Sequence, residues 1–322
     1  MSDNVEQQDS GDQAFTRKSP YGTGSEAMYS GATSFMRRRY SRDLAGVDVA
    51  VVGIPYDLAT TNRPGTRFGP RGVRAASTQI AWARPWPWSF DPFNRLHVVD
   101  YGDCVFDPGV PDQVPAEIEH CIAGIIAGGA IPLSIGGDHF VTFPILQALH
   151  AKHGPISLIH FDAHSDTWTD KKGRIDHGTM FYHAAIQGIT DPAHSVQLGM
   201  RTHNKDTHGY HVFDALWLHE NGAAAVVKKI HEIVGKRPCY ITFDIDFLDP
   251  SCAPGTGTPV CGGFDTITAI RILAGLEGLN LVGCDVVEVS PPYDHAEMTS
   301  LAGATMASHM LCLLAAGKPD KA

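Results

Sequence analysis

Four polar clusters, each placed directly behind an apolar run, are the main constraint on how this chain folds. GGDHF (136–140) follows IPLSI, DAHSD (162–166) follows ISLIHF, DID (244–246) follows PCYITF, and EVSPPYD (288–294) follows CDVV. Near-continuous apolar strands that alternate with helical patterns imply a parallel sheet covered on both faces. The pattern predicts strands over 47–56, 96–102, 131–137, 155–162, 195–201, 238–246 and 281–291. Helices are expected over 115–129, 143–154, 264–276, and near 222–235 and 299–316. The fold class is therefore α/β: a single-domain three-layer sandwich with a mostly parallel central sheet. Residues 57–95 and 163–194 are expected to be long loops over a site. Open parallel sheets bind ligands beyond the carboxyl ends of their strands, so all four clusters point at one crevice.

The donors there are two imidazoles, His139 and His164, and four carboxylates, Asp162, Asp166, Asp244 and Asp246. Four crowded like charges repel and raise one another's pKa values unless cations neutralise them. Two divalent metals carry the matching charge. In D-x-H-x-D and D-x-D, residues two apart point the same way on an extended chain, so each segment can wrap an ion. A donor set of carboxylate and imidazole without thiolate favours manganese over zinc. Two such ions about 3.5–4 Å apart can generate a hydroxide nucleophile at neutral pH. Taken singly, each motif has a plainer explanation: GGDH as a turn with an N-cap, DID as a solvated pair. Their joint occurrence at successive strand ends has no common structural explanation.

Other features narrow the class. The net charge of −10 argues against nucleic acid and anionic membrane surfaces, and is compatible with a cationic small substrate. No run approaches the roughly 20 apolar residues of a membrane span. The N-terminal MSDNVEQQDSGDQAF is polar and lacks the apolar centre of a secretory signal, so a cytoplasmic protein is expected. Residues 1–40 read as a polar arm, partly disordered or contacting another subunit, and 41–322 as the catalytic domain. The seven cysteines, Cys104, Cys121, Cys239, Cys252, Cys261, Cys284 and Cys312, form no CxxC pair and are read as free packing residues.

GGDHFVT (136–142), FDAHSDTW (161–168) and FDIDFLDPSCAPGTGTPVCGG (243–263) resemble the signatures of the ureohydrolase family of arginases, agmatinases and their relatives. The likeness runs from about residue 40 to 315 and is greatest to the bacterial agmatinase pattern, through WPWSFDPF (86–93), IDHGTMFYHA (175–184) and DVVEVSPPYD (285–294). The resemblance implies an arginase-like fold and a hydrolase with two Mn2+ per subunit that splits a guanidinium into urea and an amine. It further implies that His139 and Asp166 bind one metal, His164 and Asp246 the other, and that Asp162 and Asp244 bridge them. Glu288 matches the glutamate that holds the guanidinium, and His177 the histidine that shuttles protons. Asp166 would also pass a proton to the leaving amine. A homo-oligomer, trimer or hexamer, is implied as well.

The substrate is the less determined part. The loop TWTDKKGRIDHG (167–178) lacks the Asn and Ser-rich elements of the arginase pattern, which disfavours arginine. Agmatine is the expected substrate. A guanidino acid such as 4-guanidinobutanoate stays open, because Lys171, Lys172, Arg174 or Arg201 could face a carboxylate tail. A non-catalytic metal-binding subunit is a remote alternative. Asp246, Asp294, Trp86, Trp88 and Trp168 are candidate walls for the amine end, since aromatic faces attract cations.

Overall fold

The computed structural model describes residues 29–81, 84–169 and 173–321. The elements in chain order are β1 (Val49–Gly53), α1 (Gly69–Ser77), β2 (Val98–Asp103), α2 (Val114–Ala127), β3 (Ile131–Ile135), α3 (Thr142–His153), β4 (Ser157–Phe161) and α4 (Met180–Ile186). They continue with β5 (Val196–Leu198), β6 (His211–Phe213), α5 (Ala215–Val234), β7 (Pro238–Asp244), α6 (Thr266–Gly275), β8 (Asn280–Val287) and α7 (Met298–Ala315). The eight strands form one sheet in the order β2-β1-β3-β8-β7-β4-β5-β6, and every pairing is parallel.

Alternate strand residues feed two cores. Val49, Val51, Leu133, Ile135, Phe161, Phe243 and Val286 pack on one face with side chains of α1, α5, α6 and α7. Ala50, Val52, Leu158, Tyr240 and Val287 pack on the other with α2, α3 and α4. This is the expected three-layer α/β sandwich. The helix α7 is long and apolar enough to cross a membrane, but it is mostly buried in the first of these cores.

Several local expectations are corrected. The stretch 57–95 is not all loop: α1 opens at Gly69-Pro70, where proline's missing N–H costs nothing in a first turn. The stretch 163–194 holds α4. The helix expected near 222–235 begins at Ala215, where the Asp214 carboxylate accepts from Trp217 N at 2.8 Å, and it bends at Gly222. The edge strand β6 was not anticipated, because its three residues are largely exposed and carry no apolar run. Of the polar arm, residues 1–28 lie outside the described residues, but Phe35 and Met36 are buried in the first core.

Residues 39–41 cover the β2 edge. Asp100 N donates to Arg39 O and Ser41 N to Asp100 O. Beneath them lies a buried ion pair. Arg74 Nε and Nη2 reach the two oxygens of Asp100 at 2.9 and 3.0 Å, and the same carboxylate accepts from Phe35 N at 2.7 Å. It thus ties α1, the β2 edge and the 35–38 segment together. Without Asp100 the buried Arg74 guanidinium keeps only Asp103, 2.5 Å from Nη1, and the Gly102 carbonyl, and Phe35 N loses its acceptor, so Asp100→Ala is expected to lose about 3 kcal/mol in chemical denaturation. A loss below about 1 kcal/mol would refute this account.

Candidate metal centre and its cavity

The four central strands, β3, β8, β7 and β4, are the four that end in the polar clusters. His139 follows β3, Glu288 follows β8, Asp244 ends β7, and Asp162 follows β4. The six side chains expected to ligate metal come together there, and all but half-buried His164 are fully buried. Strand alternation does not bring them together. Asp162 Oδ1 accepts from His164 N, and Asp244 Oδ1 from Asp246 N at 2.8 Å. These tight turns beyond the strand ends fold residues i and i+2 onto one centre. Asp166 (φ 51°) and Glu288 (φ 62°) both adopt left-handed backbone, which costs about 1–3 kcal/mol each and concentrates at functional sites. Gly137 has no alternative: a Cβ there would sit 1.7 Å from Tyr56 O in the loop after β1.

His139 Nδ1 lies 3.0, 3.0 and 3.2 Å from oxygens of Asp162, Asp166 and Asp244. Yet it makes no hydrogen bond to any of them. Its tautomer follows from the other side of the ring. Thr242 Oγ1 donates to Asp285 Oδ1 at 2.7 Å, so it must accept at 2.8 Å from His139 Nε2–H. In the neutral ring Nδ1 then carries the lone pair, aimed at a point ringed by carboxylates that favour positive charge there. That geometry suits a proton on the ring or a metal cation in its place. On the far side, His164 Nδ1 lies 3.3 Å from Asp162 Oδ1 and 3.1 Å from Asp246 Oδ2. Asp162 thus turns one oxygen to each half of the cluster.

The electrostatics agree. Burial and then repulsion from Asp246 and Asp162 push the Asp244 carboxyl well above the usual range. Burial and Asp162 lift Asp166 to about 7. Burial works against the charged form of Asp162, yet His160 and the other imidazoles hold its carboxyl well below the usual range. Without cations, only protons on the imidazoles can offset this charge. The donor set fits a binuclear metal site.

His160 also touches the cluster, but both of its nitrogens are engaged. Nε2 meets Asp162 Oδ2 at 2.7 Å, and Gln197 Nε2 donates to Nδ1 at 3.1 Å. It orients Asp162 and does not compete as a ligand. His160, Thr242 and Asp285 escaped the sequence reading. The available signal was a charged or polar residue inside an otherwise apolar strand, which needs a buried partner.

The cluster forms the floor of a cavity of about 390 Å³ lined by Thr61, Trp168, Arg174, Asp176, His177 and Thr258 among others. Glu288, fully buried, bonds to two of the lining residues, His139 and His177. Its Oε1 accepts from His139 N and from His177 Nδ1, each at 2.9 Å, and its Oε2 has no partner. Burial disfavours a charged His177, but the Glu288 carboxylate outweighs that and lifts the ring to about 9. On the other nitrogen, Thr61 N donates to Nε2 at 2.9 Å and Thr61 Oγ1 lies 2.7 Å away.

Of the candidate wall residues, Trp168 lines the cavity. Asp246 belongs to the metal cluster. The others are corrected. Trp86 is 69% exposed, and Trp88 is buried with Nε1 donating to His309 Nδ1 at 2.8 Å. Asp294 caps α7, accepting from Thr299 N and Ser300 N at 2.8 and 2.9 Å. Arg201 donates to backbone carbonyls, including those of Val260 and Asp246, and staples loops together. Arg174 lines the cavity, paired with Asp176 at 2.8 Å. Lys171 and Lys172 lie outside the described residues. Cys104, Cys239, Cys284 and Cys312 are buried as expected, whereas Cys121 and Cys252 are half-buried and Cys261 is exposed.

Residues 47–312 match the family model described as the arginase family. An agmatinase of Chromobacterium violaceum is 54% identical over 94% of this chain and 95% of its own length. A crystal structure described as a hypothetical agmatinase from Burkholderia thailandensis superposes with a TM-score of 0.91 at 53% identity, covering 95% of this chain and 98% of that one. The proclavaminate amidino hydrolase of Streptomyces clavuligerus superposes with a TM-score of 0.84 at 36% identity, covering 90% and 99%.

Proposed function

The chain belongs to the arginase family, and from that membership we propose that it is a ureohydrolase that splits agmatine into urea and putrescine with two manganese ions bound in the aspartate–histidine cluster. The observation that carries the reading is Glu288, a buried carboxylate with one oxygen tied to two residues of the cavity wall, through His139 N and His177 Nδ1, and the other without a partner. Such an oxygen suits a planar cation that donates N–H bonds.

His139 and Asp166 would hold one ion and His164 and Asp246 the other, with Asp162 and Asp244 shared. When bound, such a pair supplies Lewis acidity and a water ionised near neutral pH. The chain supplies the rest. Glu288 orients the guanidinium so that its carbon faces the cluster, which removes rotational freedom before the reaction. His177 holds a proton for the leaving amine, and Asp166, itself a member of the cluster, would take a proton released there. Trp168 offers the amine end an aromatic face. A cytoplasmic homo-oligomer, trimer or hexamer, belongs to the same proposal.

A second reading is hydrolysis of a guanidino acid. Arg174 on the cavity wall favours it, and so does the likeness to the proclavaminate enzyme; the Arg174–Asp176 pair works against it, since that guanidinium already has a carboxylate partner. The test is urea release by manganese-loaded protein from agmatine, 4-guanidinobutanoate and arginine. Agmatine is expected to give the highest kcat/KM, by at least tenfold. Faster turnover of the guanidino acid would move the assignment, and no urea from any of the three would end it.

A further inference from the structure

Both nitrogens of His177 are already occupied by the protein. Nδ1 lies 2.9 Å from Glu288 Oε1, and Nε2 takes the Thr61 backbone amide at 2.9 Å with the Thr61 hydroxyl 2.7 Å away. An N–H aimed at Nε2 requires a lone pair there, so whenever the ring is neutral its proton sits on Nδ1. Glu288 favours a second proton on this ring and the Thr61 amide opposes it. In either state the ring has no open nitrogen to offer a substrate. The Thr61 side chain that holds Nε2 lines the same cavity as the ring itself.

Thr61 is held in place from several sides. The loop after β1 is anchored by Asp57, which accepts from Gly65 N at 2.8 Å and Arg67 Nε at 2.6 Å. Buried Asp138 accepts from Ala59 N at 2.8 Å, and Asn62 Nδ2 donates to Gly257 O at 3.0 Å. Two contacts within the loop and two to other segments hold it in shape, and they fix a hydroxyl against one imidazole nitrogen.

We propose that the Thr61 hydroxyl relays the proton between His177 and the leaving amine, and that the loop after β1 exists in part to hold it there. When solvent has protonated the ring, Nε2–H turns from acceptor to donor and points at Thr61 Oγ1. The Thr61 O–H is then free to point into the cavity. As the carbon–nitrogen bond breaks, its electron pair goes to the amine nitrogen, the hydroxyl gives that nitrogen its proton, and Nε2–H replaces the hydroxyl's proton. His177 ends neutral and is recharged from solvent. The chemistry of the relay rests on the guanidine-hydrolase reading, but the pairing of Thr61 with Nε2 does not.

Two measurements test it. In manganese-loaded enzyme, Thr61→Val is expected to lower kcat at least tenfold with KM within about twofold. Thr61→Ser should restore it, and added imidazole should partly rescue the valine variant. Separately, the ring ¹⁵N shifts of His177 in metal-free protein, followed upward in pH through about 9, should report the Nδ1–H tautomer as the ring becomes neutral. The Nε2 shift should move in Thr61→Val and return in Thr61→Ser. A valine variant with kcat within twofold of the parent, a loss that serine does not restore, or an Nε2–H tautomer in the parent would each overturn the proposal. Absence of urea from agmatine in the parent would instead strike the functional reading, and the shifts would still decide the pairing.

Discussion

Asp244→Asn is expected to cut urea release at least about a thousandfold while making the metal-free protein more stable. The two effects have opposite signs for one reason. Asp244 Oδ2 lies 3.2 Å from the unpaired His139 Nδ1, and burial, Asp246 and Asp162 all disfavour its charge. Asparagine keeps the Oδ1 acceptor for Asp246 N and replaces the second carboxylate oxygen by a neutral amide N–H₂. Without cations this removes one member of a crowded set of buried carboxylates, whose charge burial, Asp246 and Asp162 all disfavour. With cations it removes a shared charge and places a donor where a ligand oxygen is needed. Metal assistance is worth several kcal/mol, and each 1.36 kcal/mol is a factor of ten in rate. Thermal unfolding with and without manganese separates the two effects. The parent should gain about 2.7 kcal/mol per site at a hundred times the dissociation constant. The variant should start higher when stripped of metal and gain much less. Elemental analysis should find fewer than two ions per chain. A variant that kept two ions and parental turnover would remove the binuclear reading.

The fold and the metal cluster were legible because they rest on strong local signals. Each central strand is an apolar run, and each ends in acids or histidines that an apolar setting cannot tolerate unpaired. Their order along the chain, GGDH, DAHSD, DID and VEVSP, does not reveal that β3, β8, β7 and β4 are neighbours; that adjacency comes from long-range pairing. The short elements were illegible for a different reason. GPRGVRAAS, with two glycines and a proline, carries little helix propensity, and α1 is held by packing and by the Arg74–Asp100 pair. The tail-facing residues were misplaced because charge near a motif does not say which way a side chain turns. Arg201 satisfies carbonyls and Asp294 satisfies a helix end, and only burial distinguishes such roles from substrate contact. Thr61 could not be found at all from sequence, since a threonine in a polar loop carries no signal until the fold sets it against His177.

The same reasoning predicts a large effect at Glu288 that leaves the metals in place. Glu288→Gln is nearly isosteric. Its Oε1 can still accept from His139 N and His177 Nδ1, and those two donors fix the orientation of the amide. Its nitrogen must then occupy the place of Oε2, the buried oxygen without a partner. A guanidinium carries only donors on its edge, so the variant would oppose N–H to N–H where the parent offers a charged acceptor. A hydrogen bond to a charged group is worth about 1.5–3 kcal/mol, and an unsatisfied buried donor costs a further 1–3 kcal/mol. Taken together, kcat/KM for agmatine should fall by about a hundredfold or more. Metal content should be unchanged, because Glu288 reaches His139 through the backbone amide and not the ring. Glu288→Asp keeps the charge but withdraws it by one methylene, away from the bonds its Oε1 makes, and should also lose activity. A glutamine variant with kcat/KM within about threefold of the parent would show that the guanidinium is held elsewhere.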